Sequence, residues 1–252
     1  MTMMLISLPI AIAVSLLWYL PCVKALGENR VLTRKDYWVI ALVYGFLYCC
    51  LLTMVTEITW DAVVKRTSLS GLAKDICSNF LRAALLEEFF KFTGFLLAKK
   101  KYALNRKIEY MLVAGLVGMT YGIIEKTVLG NIGAVIVATI CPMHIMWQLN
   151  QGGHWYEYEK AKAANDKATA KKEWCLAILL PFFFHGTWDT ALDLVLYGVN
   201  MDGSVWQYVA AAGGLILVVF GVLYAVKTVQ KVRKIAKETP MLNTAEQAPA
   251  AN

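Results

Sequence analysis

Long apolar runs alternate with short charged segments along most of the chain. Each run is close to the ~20 residues that an α-helix needs to cross a bilayer. The runs cover residues 3–23, 37–56, 78–98, 110–129, 132–149, 174–197 and 205–226. This pattern predicts an all-α, polytopic transmembrane helix bundle with about seven spans.

The runs and their connections divide the chain into four predicted parts. Residues 1–76 are expected to form an amino-terminal two-helix membrane segment with an outer connecting loop, and residues 77–197 a four-helix membrane core. Residues 198–238 supply the last transmembrane helix and a basic cytoplasmic end. The remaining residues, 239–252, include Ala, Pro and Gln and are predicted to be a disordered tail.

Composition and charge support a membrane protein with a defined orientation. Of the 252 residues, 58% are hydrophobic and only 17% are charged, unlike a soluble domain. Lys and Arg are concentrated after the first, third, fifth and seventh predicted spans. Since basic residues favour the cytoplasmic side, the amino terminus is predicted outside and the carboxyl terminus in the cytoplasm. These basic segments account for the net charge of +7, so anionic lipid headgroups are the expected partner and nucleic acid is not.

The third run carries three charges near its middle, in the stretch LLEEFFKFTGFLLA. On the insertion scale each central charge costs about 2.5 to 3.5 kcal/mol, whereas each Leu or Phe contributes about 0.3 to 0.6 kcal/mol. Glu87, Glu88 and Lys91 are therefore tolerable only where other helices or a water pocket compensate their charge. For this reason an ionisable cluster in a membrane span is a functional-site hypothesis.

The spacing of these three residues suggests separate roles. Lys91 follows Glu87 by four residues and Glu88 by three, so one ammonium can serve both carboxylates and keep one of them ionised, as a general base requires. The two acids diverge by about 100° on a helix, so only one should activate water. We expect Glu88 to be the base and Glu87 to hold Lys91. The alternative is a salt bridge that only stabilises packing.

The fourth predicted span combines small residues with a third carboxylate. Gly115, Gly118 and Gly122 form a stripe that is typical of closely packed transmembrane helices, and Glu125 continues the stripe. Glu125 is therefore expected to face a tight helix contact. The alternative is that Glu125 marks the outer end of the helix.

Histidines follow in the fifth and sixth predicted spans. His144 shares one helix face with Gln148 and Gln151. His185 precedes Asp189 by one turn, and a carboxylate at that spacing can accept the imidazole N–H and fix its tautomer. A lone intramembrane histidine is usually a packed core residue, but two on different helices favour a functional site.

Taken in order, these motifs resemble the PrsW family of glutamic intramembrane proteases, which is related to the CAAX-protease and bacteriocin-processing superfamily. The family pattern is EExxK, then an aromatic residue four before a Glu, then a His, then HxxxD. The matching residues are Glu87 to Lys91, Tyr121 and Glu125, His144, and His185 with Asp189. The family often has Asn after the second motif, where this chain has Lys126.

The resemblance implies hydrolysis of peptide bonds in or next to the bilayer, with a membrane-anchored protein as substrate. It also implies a bacterial plasma membrane as the location. The candidate catalytic residues are Glu87, Glu88, Glu125, His144 and His185, with Lys91 and Asp189 as orienting or charge-tuning residues.

Other chemistry remains open at this stage. No cofactor is favoured, although zinc is an alternative, with ligands drawn from Glu88, Glu125, His144 and His185. Buried ionisable groups are also typical of a proton-coupled transporter, and a non-catalytic membrane scaffold or immunity protein is a third interpretation. A protease requires the carboxylates and a histidine to converge on one pocket, whereas a proton relay requires them to be spread across the membrane.

Overall fold

The described part of the chain is built from helices. In the computed structural model it comprises residues 2–27, 32–64, 71–128, 142–199 and 204–239, and all of its regular secondary structure is helical. Four helical segments are long and apolar enough to cross a membrane, namely Arg34–Val55, Lys107–Glu125, Lys167–Val195 and Gln207–Glu238. They coincide with the second, fourth, sixth and seventh predicted spans. The predicted all-α membrane bundle is thus confirmed.

Seven helices, numbered here in chain order, make up the described residues. Helices α2 and α3 each contain a stretch of π-helical turns between two α-helical parts. The helices are α1 (Thr2–Lys24), α2 (Arg34–Val39, π-helical Ile40–Cys50 and Leu51–Val64), α3 (Gly71–Cys77, π-helical Ser78–Glu87 and Glu88–Tyr102), α4 (Lys107–Val128), α5 (Met143–Ala163), α6 (Lys167–Val199) and α7 (Ser204–Glu238).

Local polar residues set two of the helix starts. Thr33 caps α2, because its hydroxyl accepts a hydrogen bond from the Asp36 backbone while the Asp36 carboxylate accepts one from the Thr33 backbone. At the start of α6, the Asp166 carboxylate accepts a hydrogen bond from the Thr169 backbone at 3.0 Å. The turn before Asp166 passes through Asn165 in the left-handed region, with φ of 57°.

Several helices extend beyond the apolar runs that predict them. Helix α3 begins at Gly71, α6 begins at Lys167 and α7 continues to Glu238. A helix satisfies its own backbone hydrogen bonds in water as well as in lipid, so the end of an apolar run does not have to end the helix.

Two predictions fall mainly outside the described residues. Only the last part of the run 132–149 is described, as the start of α5, and α5 continues well past that run to Ala163. The predicted tail, 239–252, lies outside the described residues except for Thr239.

Helix α4 lies at the centre of the bundle. Of its candidate span, Lys107–Glu125, 83% is buried, against 28% or less in the other three candidate spans. Its most extensive packing is against α5, and it also contacts α1, α2 and α3. The outer helices present Leu, Ile, Val and Phe side chains on their exposed faces, as expected for contact with lipid.

The predicted glycine stripe of α4 forms the contact with α5. A Cβ atom on Gly118 would overlap the His144 carbonyl oxygen and lie 2.5 Å from Cγ of Gln148. At Gly122 it would lie 3.0 Å from Cδ2 of His144. The absence of side chains here lets α5 approach closely enough to place His144 against α4.

Candidate active site

Four helices bring carboxylates, a lysine and two histidines into one cluster, which is buried except for the half-buried Glu125 and Asp189. The members of the cluster contact each other directly. They are Glu87, Glu88 and Lys91 on α3, Glu125 on α4, His144 on α5, and His185 and Asp189 on α6.

The two adjacent acids lie where the backbone of α3 changes its winding. The π-helical turns end at Glu87 and α-helical turns begin at Glu88. Both residues are buried, with 5% and 4% exposure, and Lys91 is fully enclosed. Both carboxylates also approach His185 on α6. The two side chains diverge by about 100° around the helix, yet both acids belong to the cluster.

Glu88 is surrounded by donors. Its Oε1 accepts from Lys91 Nζ at 2.6 Å and lies 2.8 Å from Nδ1 of His185. Its Oε2 accepts from the amide of Gln148 at 2.6 Å. One carboxylate thus connects α3 with α5 and α6, and both of its oxygens are engaged.

Glu87 makes longer contacts with the same groups. Its Oε2 lies 3.5 Å from Nζ of Lys91 and 3.9 Å from Nε2 of His185. The Tyr121 side chain of α4 also contacts Glu87. Lys91 is therefore closer to Glu88, and the expected contact between Glu87 and Lys91 is also present. Lys91 contacts both acids and His144 at once.

His144 lies between a cation and an anion. Its Nδ1 is 3.0 Å from Nζ of Lys91, and its Nε2 is 2.7 Å from a carboxylate oxygen of Glu125. An ammonium can only donate, so we assign Nδ1 as the acceptor and place the imidazole proton on Nε2, beside the Glu125 carboxylate. The structure thus brings Glu125 into the cluster through His144, as expected for a residue that faces a tight helix contact.

His185 faces carboxylates with both ring nitrogens. Beside the contact with Glu88, its Nε2 lies 3.1 Å from a carboxylate oxygen of Asp189, one turn further along α6. The direction of this contact is not that of a hydrogen bond, and within the described residues the buried Nε2 has no well-formed hydrogen-bond partner. The same nitrogen also lies 3.9 Å from Oε2 of Glu87.

Aromatic rings enclose the cluster. Trp147 of α5 stacks on His185 with ring centroids 5.1 Å apart and meets His144 edge to face at 5.6 Å. The Tyr121 ring lies 4.4 Å from Nζ of Lys91, a cation–π distance. These rings exclude lipid from the polar groups and fix the two imidazoles.

The structure brings together all seven residues singled out from the sequence and adds further ones. Gln148 had been placed on the face of His144 without a role, and it donates to Glu88. Trp147 gave no signal, because an apolar aromatic residue in a membrane span is unremarkable by pattern alone. Asn79 of α3 is also new, and its amide donates to Asp193 of α6 at 2.7 Å.

Three members of the cluster are arranged as metal ligands. Glu87, His144 and His185 each offer a ligand atom, and these atoms lie within 4.8 Å of one another. This donor set occurs in catalytic zinc sites, so the residues fit a metal by type. Glu88 and Glu125, proposed as ligands from the sequence, are not part of this group, because Glu88 is engaged by three donors and Glu125 faces His144.

Comparison with known proteins gives a match for most of the chain. A family model described as PrsW family intramembrane metalloprotease matches residues 33–227. The match runs from the start of α2 into α7 and includes every residue of the cluster. No curated protein and no solved structure matches the chain.

Proposed function

Because this chain belongs to the PrsW family of intramembrane proteases, we propose that it cleaves membrane-associated proteins with a water molecule that Glu87 activates. The sequence favoured Glu88 as the base, and the observation that supports Glu87 instead is the difference between the contacts of the two acids. Both oxygens of Glu88 accept short contacts, whereas Glu87 Oε2 makes contacts of 3.5 and 3.9 Å. Tyr121 also contacts Glu87, but the long contacts leave Oε2 with lone-pair capacity for a water proton.

The gap between Glu87 and His185 is the proposed position of the water. The 3.9 Å between Glu87 Oε2 and His185 Nε2 is less than two hydrogen-bond lengths, so one water can contact both atoms. His185 Nε2 lacks a well-formed partner within the described residues, and a water would supply one.

The reaction then needs two proton transfers. Glu87 takes a proton from the water as its oxygen attacks the substrate carbonyl carbon, and His185 Nε2–H donates to the resulting oxyanion. The C–N bond breaks as Glu87 returns the proton to the leaving amine. The products are a carboxylic acid and an amine, and Glu87 is left in its starting form.

The remaining residues orient these two groups. Glu88 holds His185 through Nδ1, and Gln148 and Lys91 hold Glu88. Asp189 lies against His185 Nε2 and balances its charge. Glu125 and His144 complete the enclosure of Lys91. Convergence on one cluster favours a hydrolase over a proton relay, which would spread these groups across the membrane.

A metal ion would activate the attacking water in place of Glu87, but the same residues would form the site. Glu87, His144 and His185 would hold it, and it would supply a more acidic bound water and a polarised carbonyl. Lys91 lies 3.0 Å from His144 and 3.5 Å from Glu87, so its ammonium already provides positive charge beside two of the three ligands. We therefore favour the metal-free form.

Substitution of each acid by Gln tests the assignment. The purified protein is reconstituted in liposomes with a panel of single-span membrane proteins, and the variants are assayed on a substrate that the parental protein cleaves. We expect Glu87→Gln to lower the cleavage rate by about 10² to 10⁴-fold, the usual effect of losing a general base, with unchanged thermal stability. Glu88→Gln should lower both the cleavage rate and the thermal stability, because Glu88 accepts contacts from three donors.

Glu109→Gln is the matched control. Glu109 is also a buried carboxylate, with 3% exposure, but its partner is Arg106 outside the cluster. This variant should cleave at the parental rate. Parental rates for Glu87→Gln would overturn its role as the base, and parental rates for both cluster variants would make the pair structural.

A further inference from the structure

Helices α5 and α6 face each other along a seam that leads away from the candidate active site, and the α5 side of the seam is polar. On α5, the stripe runs from His144 through Gln148 and Gln151 to His154, ten residues or roughly 15 Å along the axis. On α6, the facing positions at intervals of four residues are His185, Pro181, Ala177 and Glu173. Both rows of residues end at the charged end of the molecule, which is the end that carries the ion pairs Lys99–Glu159 and Lys107–Glu157.

Pro181 leaves a backbone carbonyl without its helical partner in the middle of this seam. Proline has no backbone N–H, so the carbonyl of Ala177, four residues earlier, loses its normal partner within the helix. The amide of Gln151 donates to this carbonyl at 2.9 Å. The seam therefore includes a backbone oxygen that an uninterrupted helix would not offer.

Several buried polar atoms along the α5 stripe lack partners. Within the described residues, no hydrogen bond is made by Oε1 of Gln148, Oε1 of Gln151 or Nε1 of Trp147. All three side chains are at most 2% exposed. Buried polar atoms in proteins are nearly always satisfied, and ordered water is the usual partner when no protein group is present. Water that entered this region would find three such atoms available for hydrogen bonds.

A crevice follows the same seam. Its lining includes Trp147, Gln151, His154, Pro181, Phe184 and Tyr224. None of the space in it is wide enough for a water molecule, so side chains must shift to admit one.

Polar groups also mark the outer end of the crevice. His154 Nδ1 lies 2.7 Å from a carboxylate oxygen of Glu173, and this pair joins α5 to α6. Lys231 of α7 donates to Asn150 at 2.8 Å on the adjacent side. The crevice thus has polar groups at its outer end, and its lining includes Trp147, which packs against His144 and His185 of the candidate active site.

We propose that the seam between α5 and α6 is the path by which water reaches the candidate active site from the charged end of the molecule. The proposal rests on the hydrolytic function inferred above, since that function requires water at a buried site. Gln148, Gln151 and the Ala177 carbonyl hold the water in transit. The His154–Glu173 pair forms the mouth of the path.

Hydroxyl-radical footprinting tests the proposal with a probe that forms from water itself. X-ray radiolysis of the full chain in nanodiscs oxidises side chains next to ordered water, and mass spectrometry locates the products. Trp147 lies on the seam, whereas Met146, the preceding residue, is fully buried in the main apolar core. We expect Trp147 to be oxidised severalfold faster than Met146, although both are shielded from bulk solvent.

Gln151→Leu identifies the end from which the water comes. It removes the polar group in the middle of the seam, so oxidation of Trp147 should fall to the level of Met146. Leu149→Met is the matched control, because Leu149 is a fully buried residue of α5 in the main apolar core, and Trp147 should keep its reactivity. Unchanged oxidation of Trp147 in Gln151→Leu would overturn the path and place the entry of water at the opposite end.

Footprinting also separates this proposal from the proposed function. The oxidation of Trp147 does not depend on cleavage of any substrate. Fast oxidation together with an active Glu87→Gln variant would leave the water path standing and remove the assigned base. Slow oxidation of Trp147 in the parental protein together with an inactive Glu87→Gln variant would overturn the water path and leave Glu87 as the base.

Discussion

At the scale of single residues, the sequence predicted the members of the cluster better than their partners. Glu87, Glu88 and Lys91 stand out because charges in an apolar run need compensation. The spacing could not show that Lys91 is closer to Glu88, because that preference arises from side chains distant in the chain. Gln148 and His185 add two further contacts to Glu88, at sequence separations of 60 and 97 residues.

Removal of metal ions is expected to leave the activity intact. The ammonium of Lys91 lies beside two of the three candidate ligands and already offers the positive charge that a metal would bring. We therefore predict an unchanged cleavage rate after dialysis against a zinc chelator, with a known zinc protease inactivated in parallel. A loss of activity that added Zn²⁺ restores would instead assign a metal to Glu87, His144 and His185.

At the scale of helices, the sequence predicted where close packing would occur but not between which elements. The stripe of Gly115, Gly118 and Gly122 correctly indicated a tight contact on α4. The partner, α5, was not evident because glycine contacts fit any helix that presents a complementary surface. The extent of α3, α6 and α7 was also underestimated, since hydropathy reports the part of a helix that lies in lipid and not the whole helix.

Adding one methyl group to the α4 stripe should separate the two helices. The Cβ of Gly118→Ala would overlap the His144 carbonyl and lie 2.5 Å from Gln148, and overpacking of this kind typically costs about 1 to 3 kcal/mol. We expect a lower unfolding temperature by circular dichroism and a reduced cleavage rate, because His144 and Gln148 both move.

Gly213→Ala on α7 provides the comparison. The nearest atom to its Cβ would be Cγ2 of Val195 at 3.7 Å, an ordinary contact. This variant should unfold at the parental temperature. A Gly118→Ala protein as stable as the Gly213→Ala protein would show that the α4–α5 contact adapts without cost.

At the scale of the whole molecule, charge patterning predicted which helix ends would meet. The end of α3, the start of α4 and the end of α5 are joined by ion pairs between Lys99 and Glu159 and between Lys107 and Glu157. Lys231 of α7 lies at the same end and contacts Asn150 of α5. Consecutive spans alternate in direction, and basic connections alternate with less basic ones along the sequence. This alternation predicts that these helix ends lie on the same side.

The charged end is predicted to face the cytoplasm. Reporter proteins fused at residue 252 and in the α5–α6 connection, 164–166, should both be fluorescent in the cytoplasm and inactive as exported enzymes. A fusion in the α6–α7 connection, 200–203, should give the opposite result. Matching signals from the two connections would contradict the predicted orientation.

The contacts of Glu88 also bear on how the chain enters the membrane during translation. Helix α3 leaves the ribosome early, yet Gln148 and His185, which compensate its charge, are synthesised 60 and 97 residues later. Until then, the two carboxylates of α3 have only Lys91 of the same helix as a partner, and a charged pair in lipid still carries an energetic cost. We therefore expect stable lateral transfer of α3 from the translocon to depend on α5 and α6, which are made later and complete the contacts of Glu88.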